Sequence, residues 1–171
     1  NSDRRQRQMC IRDRLIAGVA TGEKFLEPKF IDAEARIGET GVDEVAHANL
    51  EFKNGIKAKV STAVMESMKN NAVITGSEGT IQLPDPWMPG REGGPYHAKI
   101  IINKNGNEDI IDVKGPEHLF FFEGELASQC IAKEKTQPPH PAMTWEDTLG
   151  NLQALDTWRE KVNYKLPQDE I

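Results

Sequence analysis

Two short apolar stretches, Ala72-Val73-Ile74-Thr75 and Thr80-Ile81-Gln82-Leu83, flank Gly76-Ser77-Glu78-Gly79, and the second runs straight into Pro84-Asp85-Pro86-Trp87-Met88-Pro89. No other run in the chain limits the fold as much. Glycine and serine between two β-prone stretches are turn chemistry, so the run reads as a hairpin. Proline donates no backbone hydrogen bond, so the second strand ends at Pro84 and cannot continue as a central strand. The indole of Trp87 is therefore presented on a stiff loop at the end of a sheet. Such a ring builds a pocket wall, or else covers the edge of a core.

The rest of the first two-thirds also alternates. Ile31, Ala33, Ala35 and Ile37 share one face of a strand over 30–37, with Asp32, Glu34 and Arg36 on the other. From Val42 to Phe52, residues Val42, Ala46, Ala48, Leu50 and Phe52 point one way, and Asp43, His47, Asn49 and Glu51 the other. Asn54-Gly55 predicts a type I′ hairpin turn, which needs positive φ at both central residues. Ile56, Ala58, Val60, Thr62 and Val64 then return on one face. A further hairpin runs from Ala98 to Val113 and turns at Lys104-Asn105-Gly106-Asn107. Six or seven strands follow in mostly antiparallel succession, with one sheet face covered and the other wet or paired with a partner.

Two helices close the chain. Between about His118 and Lys133, Leu119, Phe122, Leu126, Ala127 and Cys130 fall on one stripe, beside an unusually rich Phe120-Phe121-Phe122. Thr144, with Asp147 three residues on, has the pattern of a capping box. Leu149, Leu152, Leu155 and Val162 are the expected buried stripe, flanked by Trp145 and Trp158. Strands first and helices last give an α+β fold: an open, mostly antiparallel β-sheet covered on one face by helices.

The first fourteen residues read differently. Arg4-Arg5-Gln6-Arg7-Gln8-Met9-Cys10-Ile11-Arg12-Asp13 has no apolar periodicity. It back-translates as CGT CGG CAG CGT CAG ATG TGT ATA AGA GAC, which resembles a widely used transposon-based sequencing adapter. Residues 1–14 are therefore expected to be an untrimmed artefact, with the native domain running from residue 15 to 171. Leu15 to Val19 would be the tail of a helix leaving at Gly18 and Gly22. Setting residues 1–14 aside removes five arginines and two aspartates, leaving a formal net charge of −9. Such a surface repels phosphate backbones and disfavours nucleic acid as a partner. No apolar run reaches eighteen residues, so no membrane-spanning helix is expected. Cys130 is then the sole native cysteine, as a reducing, cytoplasmic setting would allow.

Catalytic motifs are absent. The chain contains no G-x-G-x-x-G, the glycine-rich turn that seats a dinucleotide pyrophosphate at a helix N-terminus. His47, His97, His118 and His140 have no metal-pair spacing, and neither Ser61 nor Ser77 lies in a G-x-S-x-G elbow. Glu123 and Glu125 stand on different sides of a helix.

The hairpin and its Pro-x-Pro-Trp exit do not stand alone. Leu15-Ile16-Ala17-Gly18, Thr40-Gly41-Val42-Asp43, Phe52-Lys53-Asn54-Gly55, Glu123 to Cys130 and Asp147 to Arg159 accompany them in order. Together they resemble the C-terminal domain of the Gfo/Idh/MocA oxidoreductases, over Leu15 to about Gln168. Within that family the likeness points to the branch of dimeric dihydrodiol dehydrogenase and the xylose dehydrogenases. The resemblance implies a parent enzyme that uses NAD or NADP on a sugar, polyol or dihydrodiol. The family's Glu-Lys-Pro lysine and its D-x-G-x-H/Y element would both lie upstream of residue 15. No catalytic, cofactor-binding or metal-binding residue is thus expected in this chain, which alone should hold no cofactor and be inactive. By the same likeness Trp87 and His118 are candidates for the substrate pocket. Arg36 is a candidate for a homo-oligomer interface through the sheet face. A non-enzymatic regulator or scaffold on the same fold is the rival reading.

Overall fold

The computed structural model describes residues 2–87, 95 and 97–165. The elements are α1 (Ser2–Thr21), β1 (Pro28–Ile37), β2 (Asp43–Phe52), β3 (Lys57–Ala63), β4 (Asn71–Gly76), β5 (Gly79–Pro84), β6 (His97–Lys104), β7 (Asn107–Lys114), α2 (Leu119–Ala132) and α3 (Trp145–Lys161). Two units result, one of Asn1–Met68 with Pro139–Ile171 and one of Lys69–Pro138. The class is α+β and every strand pair described is antiparallel. The seven strands divide between two sheets, however, where the alternation alone suggested one. The backbone N–H groups of Val64 and Met65 both donate to Glu44 O, ending the pairing of β3 with β2. The next strand, β4, pairs with β5 in the other sheet.

In the first unit the sheet order is β1-β2-β3. One face carries Ala33 and Ala35 beside Ala48 and Ala46, which in turn lie beside Val60 and Thr62. Small residues on three strands let α1 and α3 approach closely, and Leu50, Phe52, Leu155 and Trp158 fill the layer between. The opposite face is the expected polar one, with Asp32, Glu34 and Arg36 on β1, His47, Asn49 and Glu51 on β2, and Lys57, Lys59 and Ser61 on β3.

Three local expectations need revision. The β2–β3 connection is a single 3-10 turn over Lys53–Gly55 in which Gly55 has φ +79°. Three residues bridge Phe52 and Ile56, whose N–H and C=O bond at 2.7 Å, so the loop is too long for a two-residue type I′ turn. That geometry occurs instead at Asn105-Gly106, with φ of +53° and +78°. The buried face of α3 is Asn151, Ala154, Leu155 and Trp158, while Leu149 and Leu152 are exposed. Gly150 explains the rotation: a Cβ there would collide with Glu27 and Arg14. The close approach goes to the small residues and leaves two leucines outside. Finally, the helix whose tail was expected over Leu15–Val19 runs back without a break through the segment set aside as lacking periodicity, to Ser2. Its exit is as expected, with Gly22 at φ +72° and Glu23 N–H donating to Gly18 O at 2.9 Å.

The second unit is a sheet of order β4-β5-β6-β7 with α2 following it. Its register places Ile74, Ile81, Ile102 and Ile100 with Ile111 on one face. Among the described residues, Cys130 is the one buried apolar residue of this unit. On α2 the expected stripe is half-covered, and Phe120, Phe121 and Phe122 are all exposed.

Candidate functional site

The loop carrying Trp87 is built by its neighbours in sequence. Pro84 ends β5, and Asp85 takes the left-handed conformation at φ +45°, one that aspartate tolerates better than most residues. The Asp85 N–H donates to Asn70 O at 2.7 Å, tying the loop to the residue before β4. Pro86 then fixes the path into Trp87, whose ring is half-buried. The expected stiff presentation of an indole at a sheet end is what the structure has. Met88 and Pro89, the end of the motif, lie outside the described residues.

His118 is the N-cap of α2. Its Nδ1 accepts from the Phe120 N–H at 3.3 Å, and its ring lies 5.2 Å from that of Phe120. A histidine in this role satisfies one of the orphan donors of the helix start. With Nδ1 accepting, the neutral ring carries its proton on Nε2, which leaves one donor for a hydroxyl or carbonyl. Among the described residues no hydrogen bond or ring contact joins His118 to Trp87.

Arg36 belongs to the other unit. Its Nε donates to Glu44 at 3.0 Å and its Nη1 to Glu66 at 2.9 Å. The hydrogen bond to Glu66, then that to Glu44, raises its pKa further above the usual guanidinium value. The side chain is engaged within its own chain and remains more than half exposed.

Each of the four histidines has a local partner or place. His47 Nδ1 lies 2.7 Å from Ser61 Oγ across β2 and β3, half-buried on the polar face. Glu34 sits opposite His47 on β1, completing a Ser-His-Glu row. The row lacks what acyl transfer needs, because β2 is paired on both sides and its N–H groups are spent in the ladder, so none forms an oxyanion hole. His97 contacts Asp112 at 3.2 Å, and that hydrogen bond holds the Asp112 carboxyl below its ordinary pKa. His140 meets the Phe25 ring edge-on at 5.9 Å. Among the described residues no three His, Cys, Asp or Glu side chains could hold a metal ion.

A buried polar cluster went unseen in the sequence. Arg14 is 1% exposed. It donates to Asp147 O at 2.8 Å, pairs with Glu27, and stacks over Phe25 at 5.5 Å. Beside it, burial pushes the Asp13 carboxyl up to about 7, and Asp13 Oδ2 has no hydrogen-bond partner. An arginine ahead of Leu15-Ile16-Ala17 gives no sequence signal of burial. Its position is decided by Gly150 on a helix more than a hundred residues away. A shallow cleft of about 390 Å³ lies between α2 and the segment after it, lined by Leu126, Ala127, Cys130, Ile131 and Pro138 with Glu123 and Lys135.

Comparison with known proteins follows the same line. No family model matches the chain. It is 30% identical over 167 residues to a trans-1,2-dihydrobenzene-1,2-diol dehydrogenase of Xenopus laevis, covering 92% of this chain and 46% of that one. Those of Xenopus tropicalis and Mus musculus match at 29% and 23% over 150 residues, 84% of this chain and 42% of theirs. The chain thus spans less than half the length of these curated relatives. Among solved structures, KijD10, a 3-ketoreductase from Actinomadura kijaniata in complex with TDP-benzene and NADP, superimposes with a TM-score of 0.71 at 17% identity. That match covers 90% of this chain and 46% of KijD10. The NADP complex of KijD10 gives 0.65 at 18% identity over 80% of this chain. At such identities the likeness is one of fold.

Proposed function

We propose that this chain is the C-terminal part of an NAD(P)-dependent oxidoreductase acting on a sugar, polyol or dihydrodiol. The alignment to dihydrodiol dehydrogenases carries the reading, because it takes in 84–92% of this chain and under half of theirs. The fold shared with an NADP-bound ketoreductase supports it. On this reading the dinucleotide fold and the catalytic lysine belong to the part of the parent that this chain does not share. The native domain starts near Leu15, and residues 1–14 are adapter-encoded. A half-buried Asp13 whose Oδ2 has no hydrogen-bond partner accords with a residue not selected for its position.

In the parent, Trp87 offers its flat face to a sugar or hydrocarbon ring, and His118 offers Nε2 to a substrate hydroxyl. The apolar side chains left bare on α3 (Trp145, Leu149, Leu152) and on α2 (Phe120, Phe121, Phe122) are surfaces that the rest of such an enzyme would cover. The polar face of β1-β2-β3, with Arg36 at one corner, is the face for a second subunit.

The test is the DNA upstream of codon 15 and the protein it encodes. The full parent should reduce or oxidise NADP(H) with a dihydrodiol or a sugar substrate, and Trp87→Ala should raise KM by about tenfold, the loss of one stacking face. Arg36→Ala should lower the assembly's mass in light scattering. A parent without a dinucleotide fold, or with the Glu-Lys-Pro lysine replaced, points to the regulatory reading instead.

A further inference from the structure

Strand β7 ends the four-stranded sheet, and among the described residues its outer backbone bonds to no other element. A bare edge is a template for another strand. Its two central residues, Ile110 and Ile111, are 49% and 42% exposed. We propose that β7 pairs antiparallel with β7 of a second copy of this chain, in the single register centred on Ile111, joining two sheets edge to edge.

Charge selects both the partner and the register. A two-fold axis normal to the sheet keeps each side chain on its own face, so a β7 residue can oppose only residues an even number of positions away. Pairing centred on Glu108, Asp109, Asp112 or Lys114 sets that charge against its own copy. Pairing centred on Ile110 sets Glu108 against Asp112. Pairing centred on Val113 overlaps only three strand residues. Centred on Ile111, no like charges meet: Ile111 faces its copy, Glu108 faces Lys114 twice, Asp109 faces Val113, and Asp112 keeps its own His97. Among the described residues Glu108 and Lys114 have no ion-pair partner within the chain, so both are available. Ile111 lies beside Ile100 on the apolar face, so this register also continues that face from one copy into the other. Charge and overlap together therefore leave one extended pairing along an edge that charges would otherwise guard.

The contact is separate from the face that carries Arg36, and charge exchange tests it alone. Sedimentation velocity over a concentration series would compare the chain with Glu108→Lys, Lys114→Glu and the double variant, each checked for native circular dichroism. A concentration-dependent dimer is expected. Each single change creates two like-charge pairs and should weaken it about tenfold or more, and the double exchange should restore it. A chain that stays monomeric, single variants that dimerise like the parent, or a double variant that fails to recover would each overturn the proposal. An effect of Arg36→Ala alone would leave only face-to-face assembly.

Discussion

The two sheets answer the same problem in opposite ways. The β1-β2-β3 sheet spends its inner face on alanines and valines, and thereby admits two helices that seal Leu50 and Trp158 from water. The β4-β5-β6-β7 sheet has a comparable row of isoleucines, yet Ile81 and Ile111 remain partly exposed and α2 turns three phenylalanines outward. One unit seals a core, though its α3 still turns Trp145, Leu149 and Leu152 outward. The other has apolar surface in excess of what its own elements cover, and excess surface of that kind marks a binding face.

That contrast can be broken most strongly at Trp158. Trp158→Ala leaves a cavity at the centre of the sealed core and should cost about 3–5 kcal/mol in denaturant unfolding. A loss below 1 kcal/mol would mean the core is not where the structure puts it. Asp13 is the weak point of the same unit. Its folded pKa is about 7 against an ordinary 3.8, because burial penalises the charge. The unfolded chain therefore ionises first, the native state holds the extra proton, and stability falls as pH rises from about 4 to 7. The full loss is up to roughly 4 kcal/mol, and Asp13→Asn should flatten the slope. A chain equally stable at pH 4.5 and pH 7.5 contradicts this. The smallest effect belongs to the other unit. Phe121→Ala in the isolated chain should change stability by no more than about 0.5 kcal/mol. The same substitution in the full parent should cost more if α2 is covered there, and equal values in both would mean it is not.

What the sequence made legible follows from how local each feature is. Alternation of small apolar and charged residues located β1, β2 and β3, turn residues located the two hairpins after them, and Thr144 with Asp147 foretold a capping box whose hydrogen bonds are both present. The Pro84-Asp85-Pro86-Trp87 exit was readable because proline constrains its own backbone. The features that escaped are those settled at a distance. Leucines pick a helix face by default, but on α3 the choice went to Gly150 and Ala154, which admit Arg14 and the β1 strand. Asn54-Gly55 is a strong turn signal, yet the length of the link between Phe52 and Ile56 determined its type. Nothing in the pattern announced that seven similar strands would form two sheets.

On the proposed function, the cofactor machinery lies outside this chain. Titrating NADPH fluorescence with the chain alone, and with the protein translated from the gene extended upstream of codon 15, tests it directly. The chain alone should leave the fluorescence unchanged, and the extended protein should bind and turn over. Saturable NADPH binding by the chain alone, or an extended protein with no dinucleotide fold, would contradict it.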